Sequence, residues 1–150
     1  MLNDPRMTQS TFIEGYSTDG SLHYAPYTND PRVSHAHGWS TGPTYALTAY
    51  TAGIQLTGAG GSSWIIAPQT GDLTFVDAGF ETVKGKFSTS YRGSGKGVGK
   101  FAFVTPTNTT GDFVLAGAKG SLVSEGGERV KLVNGKASGL KGGSWKLRSE

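Results

Sequence analysis

"GKFSTSYRG", residues 85–93, alternates Phe87, Thr89 and Tyr91 with the small polar Ser88 and Ser90, between Gly85 and Gly93. A period of two sends one set to each face of a pleated chain, so this stretch predicts a half-buried β-strand. Working outward, similar short runs separated by turn residues occupy the chain from residue 58 onward. They are "SSWIIAP" (62–68), "DLTFVDAGF" (72–80, with apolar Leu73 and Phe75), "KFAFVTP" (100–106), "GDFVLAG" (111–117), "GSLVSEG" (120–126), "ERVKLVNG" (128–135) and "GSWKLRS" (143–149). About eight strands at this spacing predict an antiparallel sandwich or barrel over residues 58–150. Asn134-Gly135 is a favoured two-residue hairpin turn, because both residues accept positive φ. Trp64 and Trp145 lie inside strands and are expected in the core. No helical period and no internal repeat is evident in this half.

The composition agrees with a folded chain. Of 150 residues 24 are glycine, far above the usual share of about 7%, which suits many turns between short strands. Cysteine is absent, which excludes a disulfide framework and thiolate metal ligation. No apolar run approaches the roughly 20 residues that span a bilayer, so no membrane partner is expected. The net charge of +3 is uneven: residues 1–57 hold four acids and two arginines (−2), and residues 58–150 seven acids and twelve bases (+5). The lysines are spread one or two per strand or turn and form no block. They read as a solvated sheet face that discourages edge pairing, and no nucleic-acid partner is expected.

Residues 10–40, "STFIEGYSTDGSLHYAPYTNDPRVSHAHGWS", carry all three histidines with Glu14, Asp19, Asp30, three tyrosines and Trp39. This stretch reads as an ordered loop, the kind of segment on which binding and catalytic residues sit. After it, "WSTGPTYALTAYTAGIQL" (39–56) predicts a short helix, with Ser40 or Thr41 as N-cap, Pro43 in the first turn, and Leu47, Tyr50 or Thr51, and Ile54 at helical spacing. Such a segment of 57 residues is too small to bury a core of its own. It is either a cap on the β domain or the trailing edge of a larger helical domain, and its abrupt beginning favours the second.

The stretch from Ser10 through "TYALTAYTAGIQLTGAG" resembles the end of the catalytic barrel of α-L-rhamnosidases of glycoside hydrolase family 78, especially the fungal type. "SSWIIAPQTGDLTFVDAGFETVKGKFSTSYRG" resembles the start of the β-sandwich that follows that barrel. The resemblance covers about residues 3–117, and its most specific parts are the Glu14 motif, "SHAHGWSTGP" and "IAPQTGDL". It implies that residues 1–57 are the C-terminal end of an (α/α)6 barrel and residues 58–150 a C-terminal β-sandwich. It also implies an inverting hydrolysis of terminal α-L-rhamnose. Inversion takes two carboxyl groups, roughly 6.5–9.5 Å apart, one as acid and one as base.

By the same resemblance Glu14 stands at the general-base position, and His37 at the histidine of a Ser-x-x-His step that hydrogen-bonds the sugar. His35, Trp39 and Tyr16 are carried over as flanking substrate-binding positions. Ile13 replaces the family's preceding tryptophan, and Gly15-Tyr16 replaces its Arg-Trp, so the sugar-facing wall differs. The residues agree in kind. A carboxylate between Phe12-Ile13 and Tyr16 is partly desolvated, and aromatic rings beside histidines suit a sugar's apolar faces and hydroxyl rim.

No residue matches the family's general acid, so the chain is expected to be inactive alone and to need the missing N-terminal part of the barrel as its partner. The substrate partner is a rhamnose-containing glycoside, and secretion is expected if the whole is a typical fungal enzyme. His35-x-His37 lacks helical i, i+4 spacing and a third ligand, so no metal and no cofactor is expected. His23 reads as a structural hydrogen-bond donor, and Asp19 and Asp30 as turn residues before Gly20 and Pro31. Asn108-Thr109-Thr110 is a glycosylation sequon that matters only outside the cell. The alternative function is a non-catalytic carbohydrate-binding or structural β-sandwich.

Overall fold

Phe87, Thr89 and Tyr91 are buried along strand β4 (Gly85–Arg92), while Ser88 and Ser90 lie nearer the surface, as the period of two requires. The computed structural model describes residues 4–22, 33–93 and 99–149, and the chain divides into two units, Met1–Tyr45 and Ala46–Glu150.

The second unit is a mainly β fold of two sheets. Its strands are β1 (Ile54–Leu56), β2 (Ser63–Ile66), β3 (Phe75–Thr82), β4, β5 (Lys100–Val104), β6 (Thr110–Val114), β7 (Ser121–Ser124), β8 (Arg129–Lys131), β9 (Lys136–Lys141) and β10 (Ser144–Arg148). One sheet has the order β1-β2-β6-β9 and the other β3-β4-β5-β10-β7-β8. All pairs are antiparallel except β2 with β6. Inner-face side chains of both sheets form one core. Trp64, Ile66 and Phe113 from the smaller sheet meet Phe87, Phe103, Leu122 and Trp145 from the larger. Phe103 and Phe113 stack with ring centres 5.7 Å apart, and Trp64 meets Phe103 edge-on at 5.8 Å. Both expected core tryptophans are therefore buried, and each indole N–H has a partner: Trp64 donates to Thr109 Oγ1 (2.9 Å) and Trp145 to the Lys141 carbonyl (3.0 Å).

The helix expected over 39–56 is shorter and less regular. A 3-10 turn (Gly38–Thr41) leads into helix α1 (Gly42–Ala46) and a wider turn of π geometry (Leu47–Thr51). Neither Ser40 nor Thr41 is the N-cap; both lie within the first turn, where the Thr41 hydroxyl donates back to the Gly38 carbonyl. Ile54 belongs to no helix. Gly53, at φ 81°, turns the chain out of helical geometry, and Ile54 starts β1 opposite Ile66. The helical spacing of Ile54 from Leu47 is coincidental, since Ile54 is buried as a strand residue whereas Leu47 is exposed. The segment is pinned to the sheets by backbone acceptors: Ala52 accepts from the Thr89 hydroxyl (3.0 Å) and Tyr50 from the Gln69 N–H (3.0 Å). Among the described residues no helix is long and apolar enough to cross a membrane.

The strand expected over 72–80 begins at Phe75. Leu73 and Phe75 are exposed, and it is Val76 and Phe80 that pack from β3 onto the core. Strand β9 follows the Asn134-Gly135 turn, whose residues take φ 51° and 76° as expected. A bulge interrupts the β6–β9 ladder between Gly111 and Phe113, opposite Asp112. The Asp112 carboxylate fills the gap, accepting the Gly139 N–H (3.1 Å) and pairing with Lys136 Nζ (2.9 Å).

Hydrogen bonding to Lys136 is the main cause that holds the Asp112 pKa below the usual carboxylate value. A carboxyl whose folded pKa is depressed contributes stability above its unfolded pKa of about 3.9 and loses it as pH falls through the folded value. With Lys136 half-exposed, solvent discounts the pair. Asp112→Asn is therefore expected to cost about 1 kcal/mol at pH 7. Urea midpoints of variant and wild type should converge once the pH is below the folded pKa of Asp112.

Candidate active site

In the first unit the segments 11–14 and 34–40 run alongside each other. Their register is set by His37 N–H donating to the Phe12 carbonyl (2.8 Å) and Glu14 N–H donating to the Ser34 carbonyl (2.8 Å). Side chains tighten this clasp: Thr11 Oγ1 donates to the His35 carbonyl (2.6 Å) and Ser40 Oγ to that of Glu14 (3.4 Å). Buried Ile13 and Val33 supply its apolar floor, so a residue type that the sequence marks as a departure serves here as packing.

The clasp brings together residues far apart in sequence. Glu14 Oε2 accepts the Ser34 N–H (3.1 Å) and lies 3.9 Å from His37 Nδ1. The two side chains are 15% and 25% exposed, so the pair is shielded yet reachable. A carboxylate held by a backbone amide and set beside an imidazole has a fixed orientation. It can accept a proton from water while the ring donates to or accepts from a bound hydroxyl.

The other expected site residues are placed differently. His35 is half-buried, and its backbone carbonyl is tied by Thr11. Trp39 is 91% exposed and Tyr16 55% exposed, so neither is packed as a wall in the unit itself. Tyr16 lines a hollow of about 170 Å³ with Asp4, Arg6, Met7, Gly20 and Leu22. Arg6 shapes that hollow by gripping Asp4 with Nε (3.0 Å) and Nη2 (2.6 Å) and donating from Nη1 to the Gly20 carbonyl (3.1 Å). The Asp4 carboxyl is held well below the usual carboxylate range by this guanidinium. Asp19 is the turn residue expected, accepting the Ser21 N–H (2.8 Å) before Gly20 at φ 80°. His23 and Asp30 lie outside the described residues.

Sequence reasoning did not single out Ser34 or the Asp4–Arg6 pair, and it named Ser40 only as a helix N-cap. Ser34 carries the only readable signal, as the first residue of the Ser-x-x-His step. Its part in the site is played by its backbone, which no residue type reveals.

Comparison with known proteins bears on the second unit most directly. Residues 53–130, more than half of the 150, match the family model of the bacterial α-L-rhamnosidase C-terminal domain. No curated protein sequence matches the chain. Among solved structures, the α-L-rhamnosidase of Dictyoglumus thermophilum superposes with a TM-score of 0.61 at 18% identity, over 76% of this chain and 14% of that one. The Streptomyces avermitilis α-L-rhamnosidase, solved with L-rhamnose, gives 0.61 at 24% identity, over 87% and 12%. The chain thus spans a small part of the enzymes it resembles in fold. It belongs to the bacterial α-L-rhamnosidase C-terminal domain family.

Proposed function

We propose that this chain is the trailing part of an inverting α-L-rhamnosidase of glycoside hydrolase family 78, of fungal type, acting on terminal α-L-rhamnose of glycosides. The observation that carries the reading is the Glu14 carboxylate fixed by the Ser34 amide 3.9 Å from His37. In this reading Glu14 draws a proton from the attacking water, and His37 holds a rhamnose hydroxyl and so sets the ring's position. An acid on the other face protonates the leaving oxygen. That acid is assigned to the upstream barrel, with residues 1–57 as the barrel's closing segment. His35, Trp39 and Tyr16 complete the sugar contacts once the barrel surrounds them.

The test is release of the aryl group from an aryl α-L-rhamnoside. The 150-residue chain is measured alone and mixed with the barrel of a full-length relative truncated just before its counterpart of Glu14. No release is expected from the chain alone, and release is expected from the mixture. Turnover by the chain alone, or none from a complex shown to assemble, overturns the reading. Binding of rhamnosides that survives deletion of residues 1–40 favours a sugar-binding sandwich instead.

A further inference from the structure

The outer face of the six-stranded sheet carries an uneven distribution of charge. Strand register aligns Phe75, Arg92 and Lys100 across β3, β4 and β5, and Arg148, Ser121 and Lys131 across β10, β7 and β8. Continuing the β5–β10 register, in which Lys146 faces Ala102, brings Arg148 level with Lys100. The neighbouring row on the same face is Asp77, Ser90, Ala102, Lys146, Val123 and Arg129. Six cations therefore share these two rows with one acid. That acid, Asp77, is taken by Arg92, whose guanidinium also lies 3.8 Å over the Phe75 ring. Of the sheet's other acids, Glu81 lies opposite Lys86 on β3 and Glu128 in the β7–β8 turn, while Glu125, in the same turn, borders the rows beside Lys146 and Arg148.

Among the described residues, Lys100, Arg129, Lys131, Lys146 and Arg148 form no ion pair, and all five are exposed. Edge protection explains lysines on an edge strand such as β8. It does not explain Lys100, Lys146 and Arg148, which lie on the interior strands β5 and β10. Like charges on adjacent strands repel, and among the described residues no ion pair offsets that cost for these five cations. With strands about 4.8 Å apart, the row from Lys100 to Lys131 crosses three gaps and extends about 14 Å. Between the cations the floor is small or neutral, and a hollow of about 300 Å³ opens beside Lys146 and Arg148, lined also by Val123, Ser124, Glu125 and Ser144.

The geometry points to a docking surface for an acidic polysaccharide, a glycan with carboxylates along its length, lying across β5, β10, β7 and β8. Charge complementarity selects a polyanion. A nucleic acid is disfavoured because reading single strands on a sheet takes free aromatic platforms, and the one aromatic on these rows, Phe75, is already covered by Arg92. The choice of a glycan also rests on the reading of the chain as part of a glycosidase. Carboxylates of the polymer would neutralise the repelling row, and the face would hold the enzyme on a charged substrate matrix.

The experiment is equilibrium binding of the 150-residue chain to polygalacturonate, dextran and a single-stranded and a duplex DNA, at low and at physiological salt. Hydrolysis is not read, so failure here is distinct from failure of the catalytic reading. One variant carries Lys100→Glu, Lys131→Glu and Lys146→Glu. A second, with the same change in net charge, carries Lys84→Glu, Lys119→Glu and Lys141→Glu at exposed positions outside these two rows. Thermal unfolding checks that both fold. Binding to polygalacturonate and not to dextran is expected, weakening severalfold with salt. The face variant should bind at least tenfold more weakly, and the control variant within about threefold of wild type. Absence of polygalacturonate binding, equal losses in the two variants, or tighter binding of DNA than of polygalacturonate would each overturn the assignment.

Discussion

Glu14→Gln is expected to lower kcat for an aryl α-L-rhamnoside about a thousandfold in the assembled enzyme, with little change in KM. Positioned general bases contribute roughly 10²–10⁴ in rate. The substitution is close to isosteric, and the amide oxygen of Gln still accepts the Ser34 N–H that orients the side chain in wild type. What is lost is the ability to take a proton from water, so the effect falls on the chemical step. His37→Ala should behave differently. On the proposed reading it leaves the base in place and removes a contact to the bound sugar, so its loss should appear largely in KM. A Glu14→Gln enzyme that keeps wild-type kcat, in a complex shown to assemble, would remove Glu14 from the chemistry.

How far the sequence could lead depended on whether the signal was local. Strand β4 was legible because Phe87, Thr89 and Tyr91 keep a strict period of two on a strand with one buried face. Strand β9 was not legible for the opposite reason. Its buried residues, Ala137 and Leu140, are three apart, because the bulge facing Asp112 shifts the register and Gly139 takes φ 68°. Strand β1 was hidden by an accident of spacing that made Ile54 look like the last turn of a helix. Phe75 reads in the sequence only as an apolar strand residue, and the structure reveals an exposed ring under Arg92.

The site divides in the same way. Glu14 and His37 could be singled out through resemblance, but their approach to 3.9 Å depends on the pairing of two irregular segments by backbone hydrogen bonds. Such bonds leave no mark on residue type. The rows of cations are illegible in the sequence for a related reason: lysines scattered singly along the chain become neighbours only when register aligns the strands.

Gly111→Ala is expected to destabilise the β domain by at least about 3 kcal/mol, enough to lower its Tm by about 10 °C or more. Gly111 sits on β6 where that strand pairs in parallel with β2, directly opposite Trp64. A Cβ there would stand 2.2 Å from the Trp64 carbonyl oxygen and 2.3 Å from Cδ2 of its indole ring. Neither obstacle can yield cheaply. The carbonyl belongs to the ladder, and the ring is fully buried, with its N–H fixed on Thr109 Oγ1, which in turn donates to the Pro106 carbonyl (2.5 Å). Moving the ring would break that relay and disturb Phe103, on which the ring's edge rests. Gly126→Ala is the internal control, since its only near neighbour is Ser124 Oγ at 3.8 Å and its backbone is of a kind other residues adopt. It should change stability by less than about 0.5 kcal/mol. Trp64→Ala alone should cost about 3–5 kcal/mol through the cavity it leaves. Combined with Gly111→Ala it should cost less than the sum of the two, because removing the ring also removes half of the clash. If urea unfolding found Gly111→Ala no more costly than Gly126→Ala, the close β2–β6 approach that joins the indole to the sheet would be wrong.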